Sequence, residues 1–495
     1  MQISKREFLK KLGMLGAVGV SGAALGDEYI ATAKKLPAGS VGDPDNVWFG
    51  QRIFPIGHTI EDGPSCRMEN GKIVMPAREV PLFHETDVVV VGGGPAGFAA
   101  AVSAARAGAK VALVERAGSL GGLFTNGMVL IMLATSRRTG AGSWELVTRG
   151  VCEEFMNRAS ALGGRCFWSR TGDDRSRAHW QPTVDPEAAK YLMDTMVAEN
   201  KVEMFFHSWG VDVIQDGNRV LGVVFQSKQG LQAILAKQVV DATGDGDIAF
   251  AAGAKYRQVT HGIGFIARLA NMDRITAKNP PQNAGKDIYG LDEYWATRGN
   301  EGNPSTAWVG RLGPKGDGLS VRDLSAAEVA HRKYWFEHVQ KMQKTPGWEK
   351  IFIANTCSQI GPRATRLFEG EYVTDRAEIR RPDYAPKDVI GWFGVDGVHE
   401  AFPVSYRQLV PVGCENVLCA GRMLGAPDTI DTFRLICPCF VTGQAAGVAA
   451  SLSATKGVSP RTLSYPELRR ELERQSAFVE SEVLASSCQL RMIMP

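Results

Sequence analysis

Residues 87–97 read DVVVVGGGPAG: Asp87 and four valines run into Gly92, Gly93 and Gly94, followed by Pro95, Ala96 and Gly97. A strand that is apolar at consecutive positions is covered on both faces, as in a parallel sheet. The glycines imply that something approaches the main chain too closely for side chains. Behind them Phe98 to Arg106 supplies an Ala-rich helix that Gly108 stops, and Lys110 to Val114 supplies a second strand ending in Glu115. In such a βαβ unit Gly92 permits the tight turn, Gly94 lets the backbone approach a pyrophosphate, and Gly97 lets the helix pack close to the strand. The helix amino terminus turns unpaired N–H groups and the positive end of its dipole toward phosphates, and Pro95 and Ala96 in the turn before it are cofactor-binding candidates. Glu115 lies 18 positions after Gly97, where its carboxylate can accept both hydroxyls of a ribose. The unit predicts a bound dinucleotide.

Composition bounds the rest. A chain of 495 residues with 44% hydrophobic and 22% charged residues buries a large core and divides into two or three lobes. A formal net charge of +3 and no long Lys/Arg block after the first residues give no case for nucleic acid. The nine cysteines are odd in number and scattered, and no Cys/His spacing suits zinc, so neither a disulfide framework nor a metal is expected. Cys437 and Cys439, flanking Pro438, read as small buried residues.

The amino terminus, MQISKREFLKKLGMLGAVGVSGAALG, sets a basic segment before a Gly- and Ala-rich apolar run shorter than the roughly 20 residues of a membrane-spanning helix. With Ala31, Thr32 and Ala33 as a cleavage site, residues 1–33 are expected to be an export signal, leaving no membrane span after cleavage. Ser4 to Lys10 resembles a twin-arginine signal in which Lys5 stands for the first arginine. The expected location is periplasmic or secreted, or cytoplasmic if the segment is not a signal.

Three further stretches identify the dinucleotide by resemblance. Glu115, Arg116, Gly121, Gly122 and Thr125 lie in a segment resembling the second glycine doublet of flavoproteins with the glutathione-reductase-type FAD fold. AKQVVDATGDGD, with Ala242, Thr243, Gly244 and Asp245, resembles the strand that returns to the FAD domain in the same proteins. NVLCAGRMLGAPDTIDTFRLICPCFVTGQAAGVAASL (416–452), with Gly421, Arg422, Gly443, Gln444 and Ala445, resembles the closing segment of the bacterial FAD-dependent oxidoreductases, distant kin of fumarate reductase and succinate dehydrogenase flavoproteins. The resemblance implies an FAD enzyme, with a helix after Gly443 aiming its amino terminus at the flavin. The loop at Gly425 to Asp428 lacks the His that many members carry. No His occurs between Gly92 and Arg170, so the covalent His link of the fumarate reductase relatives is not expected and FAD is taken as noncovalent.

The fold class that follows is α/β: a three-layer, Rossmann-like FAD domain of glutathione-reductase type, discontinuous, with an inserted α+β substrate or cap lobe. The expected FAD domain comprises 85–135, 185–255 and 400–460, the lobe 136–184 and 256–399; 34–84 form an amino-terminal arm and 461–495 a helical tail. Asp185 reads as an N-cap with Pro186 at the first helical position. Val211 to Gln226 reads as a hairpin around Asp216, Gly217 and Asn218, and Ser464 to Glu467 as a capping box. Trp295, Trp308, Trp335, Trp348 and Trp392 lie in the lobe, where each reads as core, with stacking on a sugar ring as the alternative.

For the chemistry, a flavin needs orientation, a proton handler and charge complementarity from the protein. Arg434, which the resemblance sets near flavin and substrate, His399 and Arg407 are the catalytic candidates; a salt bridge of Arg434 to Asp428 or Asp431 is the alternative. Arg363 and Arg366 could clamp a carboxylate, or Arg366 could pair with Glu369 or Glu371. The expected activity is oxidation or reduction of a small organic substrate, a hydroxyl-bearing or unsaturated acid or a sugar derivative. Alternatives are reduction of a C=C bond and a noncatalytic electron carrier. The electron partner is a redox protein or a quinone.

Overall fold

The computed structural model describes residues 66–138, 144–162, 182–276, 288–289, 305–313, 315–379, 386–395 and 398–479. The export signal, most of the arm, Trp295, and Trp168 to Trp180 of the expected lobe lie outside them. The chain divides into two units, Met1–Arg78 and Glu79–Pro495. In the first, Arg67–Glu69 and Lys72–Val74 pair as an antiparallel hairpin.

The second unit opens with β1 (Leu82–Val91), whose last four residues, Val88 to Val91, are at most 2% exposed. It is followed by α1 (Pro95–Arg106), β2 (Val111–Val114), α2 (Val151–Ala161) and α3 (Pro186–Glu199). Asp185 caps α3 as its sequence suggests, accepting from the N–H groups of Glu187 and Ala188. Next come β3 (Glu203–Phe205), β4 (Trp209–Asp216), β5 (Arg219–Ser227) and β6 (Gly230–Asp241). The two-residue connection Gly217–Asn218 makes β4 and β5 a hairpin.

A parallel sheet runs β3, β2, β1, β6 and then β11 (Val417–Cys419). The same edge of β6 serves two partners. Its first half, Gly230–Leu235, pairs antiparallel with β5, and its last three residues, Val239–Asp241, pair parallel with β11. The β4–β5 hairpin joins the same sheet through β6, and Gly210 of β4 lies against the end of β1: a Cβ there would fall 2.6 Å from Val91 Cγ1 and 3.1 Å from Ile248 Cδ1.

After α4 (Asp247–Ala251) the chain builds a second, antiparallel sheet around β7 (His261–Ala270), flanked by β8 (Thr306–Arg311) and, beyond α5 (Val321–Met342), by β9 (Phe352–Thr356) and β10 (Gly361–Pro362). Its own apolar core holds Phe265, Trp308, Trp335 and Trp348, joined by Met128 and Leu130 from the stretch behind the second glycine doublet. Trp335 and Trp348 are fully buried, and Trp392 packs with Val147, Val389, Ala401 and Phe478, so these tryptophans are core residues.

The chain closes with α6 (Ile430–Phe433), α7 (Ile436–Lys456) and α8 (Tyr465–Arg474). By length and a mean hydropathy of 1.3, α7 is the one helix among the described residues apolar enough to cross a membrane, yet 94% of that window is buried in the protein. It lies against α1 at backbone contact: a Cβ on Gly443 would sit 2.1 Å from the Ala96 carbonyl oxygen, and one on Gly447 2.1 Å from that of Ala100. Two expectations are corrected here. The helix begins at Ile436, not after Gly443, because Gly443 serves the crossing with α1 in its interior. Ser464 occupies the N-cap of α8 but makes no capping bond; Glu467 instead reaches Lys456 Nζ at 2.9 Å.

Candidate active site

A cleft follows the C-terminal edge of the parallel strands and holds about 830 Å³ of space, open mouth included. It passes Glu115 and Arg116 after β2, Gly92, Gly94, Pro95 and Ala96 after β1, Ala242 to Gly244 after β6, Ala420 to Arg422 after β11, and Arg434, Ile436 and Cys439 around the start of α7. From β2 to β11 is three strand spacings, about 14 Å, which suits an extended dinucleotide.

The glycines behave as three different devices. Gly92 has φ +96°, and a Cβ there would lie 2.5 Å from the Ala242 carbonyl oxygen. At Gly97 a Cβ would lie 1.7 Å from the Gly92 carbonyl oxygen, so that position admits only glycine. At Gly94 a Cβ would meet nothing within 4 Å. A side chain there would jut into the cleft beside the amino terminus of α1, which is the space a pyrophosphate needs. These features fit FAD. Glu115, buried, accepts the Gly93 N–H at 2.6 Å and the Ala117 N–H at 2.7 Å, which fixes its carboxylate on the cleft wall. The Arg116 guanidinium stands over the Trp209 ring, 5.1 Å from its centroid, at the same end. Gly122 lines the cleft and packs on Gly94, while Thr125 is buried behind it, donating to the Leu120 carbonyl at 2.6 Å.

Between cofactor sheet and second sheet run two arginine networks. Arg422 donates to Asp245 Oδ1 at 2.7 Å and to the Pro362 carbonyl; Asp245 also accepts from Thr365 Oγ1 at 2.7 Å. Arg434 places Nε at 3.0 Å and Nη2 at 2.7 Å from Asp431 Oδ1, and the same oxygen lies 3.1 Å from His261 Nε2. Burial works against the Asp431 charge, but Arg434 and His261 outweigh it and hold the carboxyl below its ordinary range. Cys439 is the reverse case: burial pushes its thiol up to about 12 despite the pull of Arg422 and Arg434, so at neutral pH it is a neutral wall of the cleft.

Other candidates fall elsewhere. Arg407 is half-exposed, paired with Asp388 at 3.2 Å and standing over the Tyr372 ring; it is not among the residues lining the cleft. Arg366 pairs with Asp247 at 2.9 Å and with the Asp245 carbonyl, a correction to the expected Glu369 or Glu371, because β-pairing of 366–368 with 256–258 turns it toward α4. Gly443, Gln444 and Ala445 lie inside α7: Gln444 Oε1 accepts the Val151 N–H at 3.2 Å and its amide donates to Gln475. His399 belongs by backbone to the strand Val398–Ser405, and its side chain lies outside the described residues. Among the described residues no cluster of three or more His, Cys, Asp or Glu could hold a metal ion. Sequence reasoning passed over His261, Trp209 and Gln359, whose positions depend on strand pairing far from any motif; a Trp opening the strand after Phe205–Ser208 was the one available sign.

A family model described as FAD dependent oxidoreductase matches residues 87–472. Among curated proteins the chain is similar to a dihydrolipoyl dehydrogenase of Trypanosoma brucei brucei, 56% identical over 46 residues, 9% of this chain and 10% of that protein. It is also similar to a soluble pyridine nucleotide transhydrogenase of Chromohalobacter salexigens, 27% identical over 161 residues, 32% of this chain and 31% of the relative. The chain thus spans a tenth to a third of the length of these relatives. Among solved structures it is similar to a geranylgeranyl bacteriochlorophyll reductase-like protein from Thermoplasma acidophilum, with a TM-score of 0.40 and 14% identity over 82% of this chain and 88% of that one.

Proposed function

Since this chain belongs to the FAD dependent oxidoreductase family, with FAD as its cofactor, we propose that it is an exported enzyme oxidising or reducing a small organic molecule: a hydroxyl-bearing or unsaturated acid, or a sugar derivative. When bound, the flavin supplies a hydride acceptor or donor at N5. The protein's own residues do the rest. Gly94 and the start of α1 seat the phosphates, Glu115 the ribose, and the wall of Ala420 to Arg422, Ile436 and Cys439 keeps water from the far end of the cleft. Arg434, tethered by Asp431, presents a fixed cation there, suited to orienting an anionic or polar group of the substrate. The observation that carries this reading is the single cleft reaching from Glu115 to Arg434 along one sheet edge.

Purified protein is expected to be yellow, and trichloroacetic acid should leave the colour in the supernatant, as for noncovalent FAD. Colour in the pellet contradicts the noncovalent part, and protein that neither absorbs near 450 nm nor gains that absorbance with added FAD sinks the whole reading. Anaerobic photoreduction followed by a screen of small acids, sugars and quinones should find one specific reoxidant. Exchange with a redox protein alone indicates an electron carrier instead. Export is tested by fractionation with and without residues 1–33, the truncated form being expected to stay in the cytoplasm.

A further inference from the structure

The cleft's inner cation is held from outside the cofactor domain. His261 opens β7, the central strand of the second sheet, and its Nδ1 accepts the N–H of Gly262 at 2.7 Å. That leaves Nε2 as the protonated nitrogen, which donates to Asp431 Oδ1 at 3.1 Å. The same oxygen receives Nε and Nη2 of Arg434. Arg434 lines the cleft; His261 and Asp431 do not. Two residues along β7, Ile263 pairs with Pro362, whose carbonyl receives Arg422. One strand of the inserted sheet thus fixes both guanidiniums at the far end of the cleft.

We infer that His261 is a positioning residue for this enzyme: through Asp431 it sets where the Arg434 guanidinium stands in the cleft. The inference rests on the FAD reading above. Asp431 is 68% exposed at its side chain, so the bridge contributes little to folding. Its consequence is geometric, because three donors converging on one oxygen leave the guanidinium one place to be. His261 meets Asp431, and through it Arg434, from the α6 region; across the strand it faces Gly316, while Lys315 and the Arg363 N–H lie against its neighbour Gly262.

The test uses the FAD-loaded full chain and sulfite, an anion that adds at flavin N5 and bleaches the 450 nm band, with tightness that reports the cationic surroundings. His261→Ala is expected to keep its flavin content and melting temperature while weakening sulfite by about two- to fivefold, the size of a lost bond of this class. His261→Gln, which can still donate to Asp431, should restore binding to near wild type. In an Arg434→Gln background, His261→Ala should add nothing further. An unchanged sulfite constant in His261→Ala, or an equal loss with and without Arg434, overturns the inference. If wild-type protein holds no flavin, the functional reading itself fails, and that result is distinct from either.

Discussion

Gly94 and Gly97 are three positions apart on one loop and helix, yet opposite outcomes follow from giving each a methyl group. Gly94→Ala would point it into open cleft, so the protein should melt almost as before while its 450 nm to 280 nm absorbance ratio falls. Gly97→Ala would drive it into the Gly92 carbonyl at 1.7 Å, a clash beyond ordinary overpacking, and should cost more than about 3 kcal/mol or prevent folding. Thermal melts of the two apoproteins separate the cases. Glu115 anchors two backbone N–H groups and faces the cleft; Glu115→Ala removes charge-assisted bonds worth about 1.5–3 kcal/mol each, so FAD should dissociate at least about tenfold more readily, measured by flavin fluorescence on dilution. This level was the most legible in the sequence, because a turn that needs glycine is specified by residues that are neighbours in the chain. His261, Trp209 and the Arg366–Asp247 pair were not legible, since each partner arrives through a strand register no local pattern encodes.

At the scale of elements, α7 shows how a correct motif can mislead. Its GQAAG run reads as a helix opening, but in the structure those glycines are the flat face on which α1 rests, and the helix starts seven residues earlier. Gly443→Ala and Gly447→Ala are each expected to lower the melting temperature sharply, whereas Ala445→Ser, away from that crossing, should be mild. Asp241, at the end of β6, reaches the first turn of α4 from outside the helix: its Oδ2 accepts the Ala249 N–H at 2.7 Å, and Oδ1 accepts from the backbone N–H and the hydroxyl of Thr243. Burial nevertheless pushes its pKa up from 3.8 to about 6, the backbone bonds opposing. With the folded pKa above the unfolded one, the native state holds the proton more firmly, and stability is lost as pH rises from about 4 to about 6. The upper bound is about 3 kcal/mol. Urea melts across that window, wild type against Asp241→Asn, should show the slope in the first and its loss in the second.

For the molecule as a whole, two apolar cores meet where Met128 and Leu130, from the cofactor side, enter the core of the inserted sheet. Trp348→Ala should therefore cost about 3–5 kcal/mol and weaken FAD as well, seen as flavin release below the unfolding transition in a melt followed by fluorescence. The class of the fold could be read from three separated motifs, while the way β6 shares one edge between β5 and β11 could not, because it needs the chain to return after more than 170 residues. That return has a consequence for manufacture. As the ribosome delivers the polypeptide from its amino end, the strand at 417–419 and the helix behind it emerge after every other strand of the parallel sheet, and until they do α1 has no cover and the cleft no inner wall. Coenzyme capture is thus expected to wait for that stretch, and a nascent chain stalled before Val417 should bind chaperones rather than FAD.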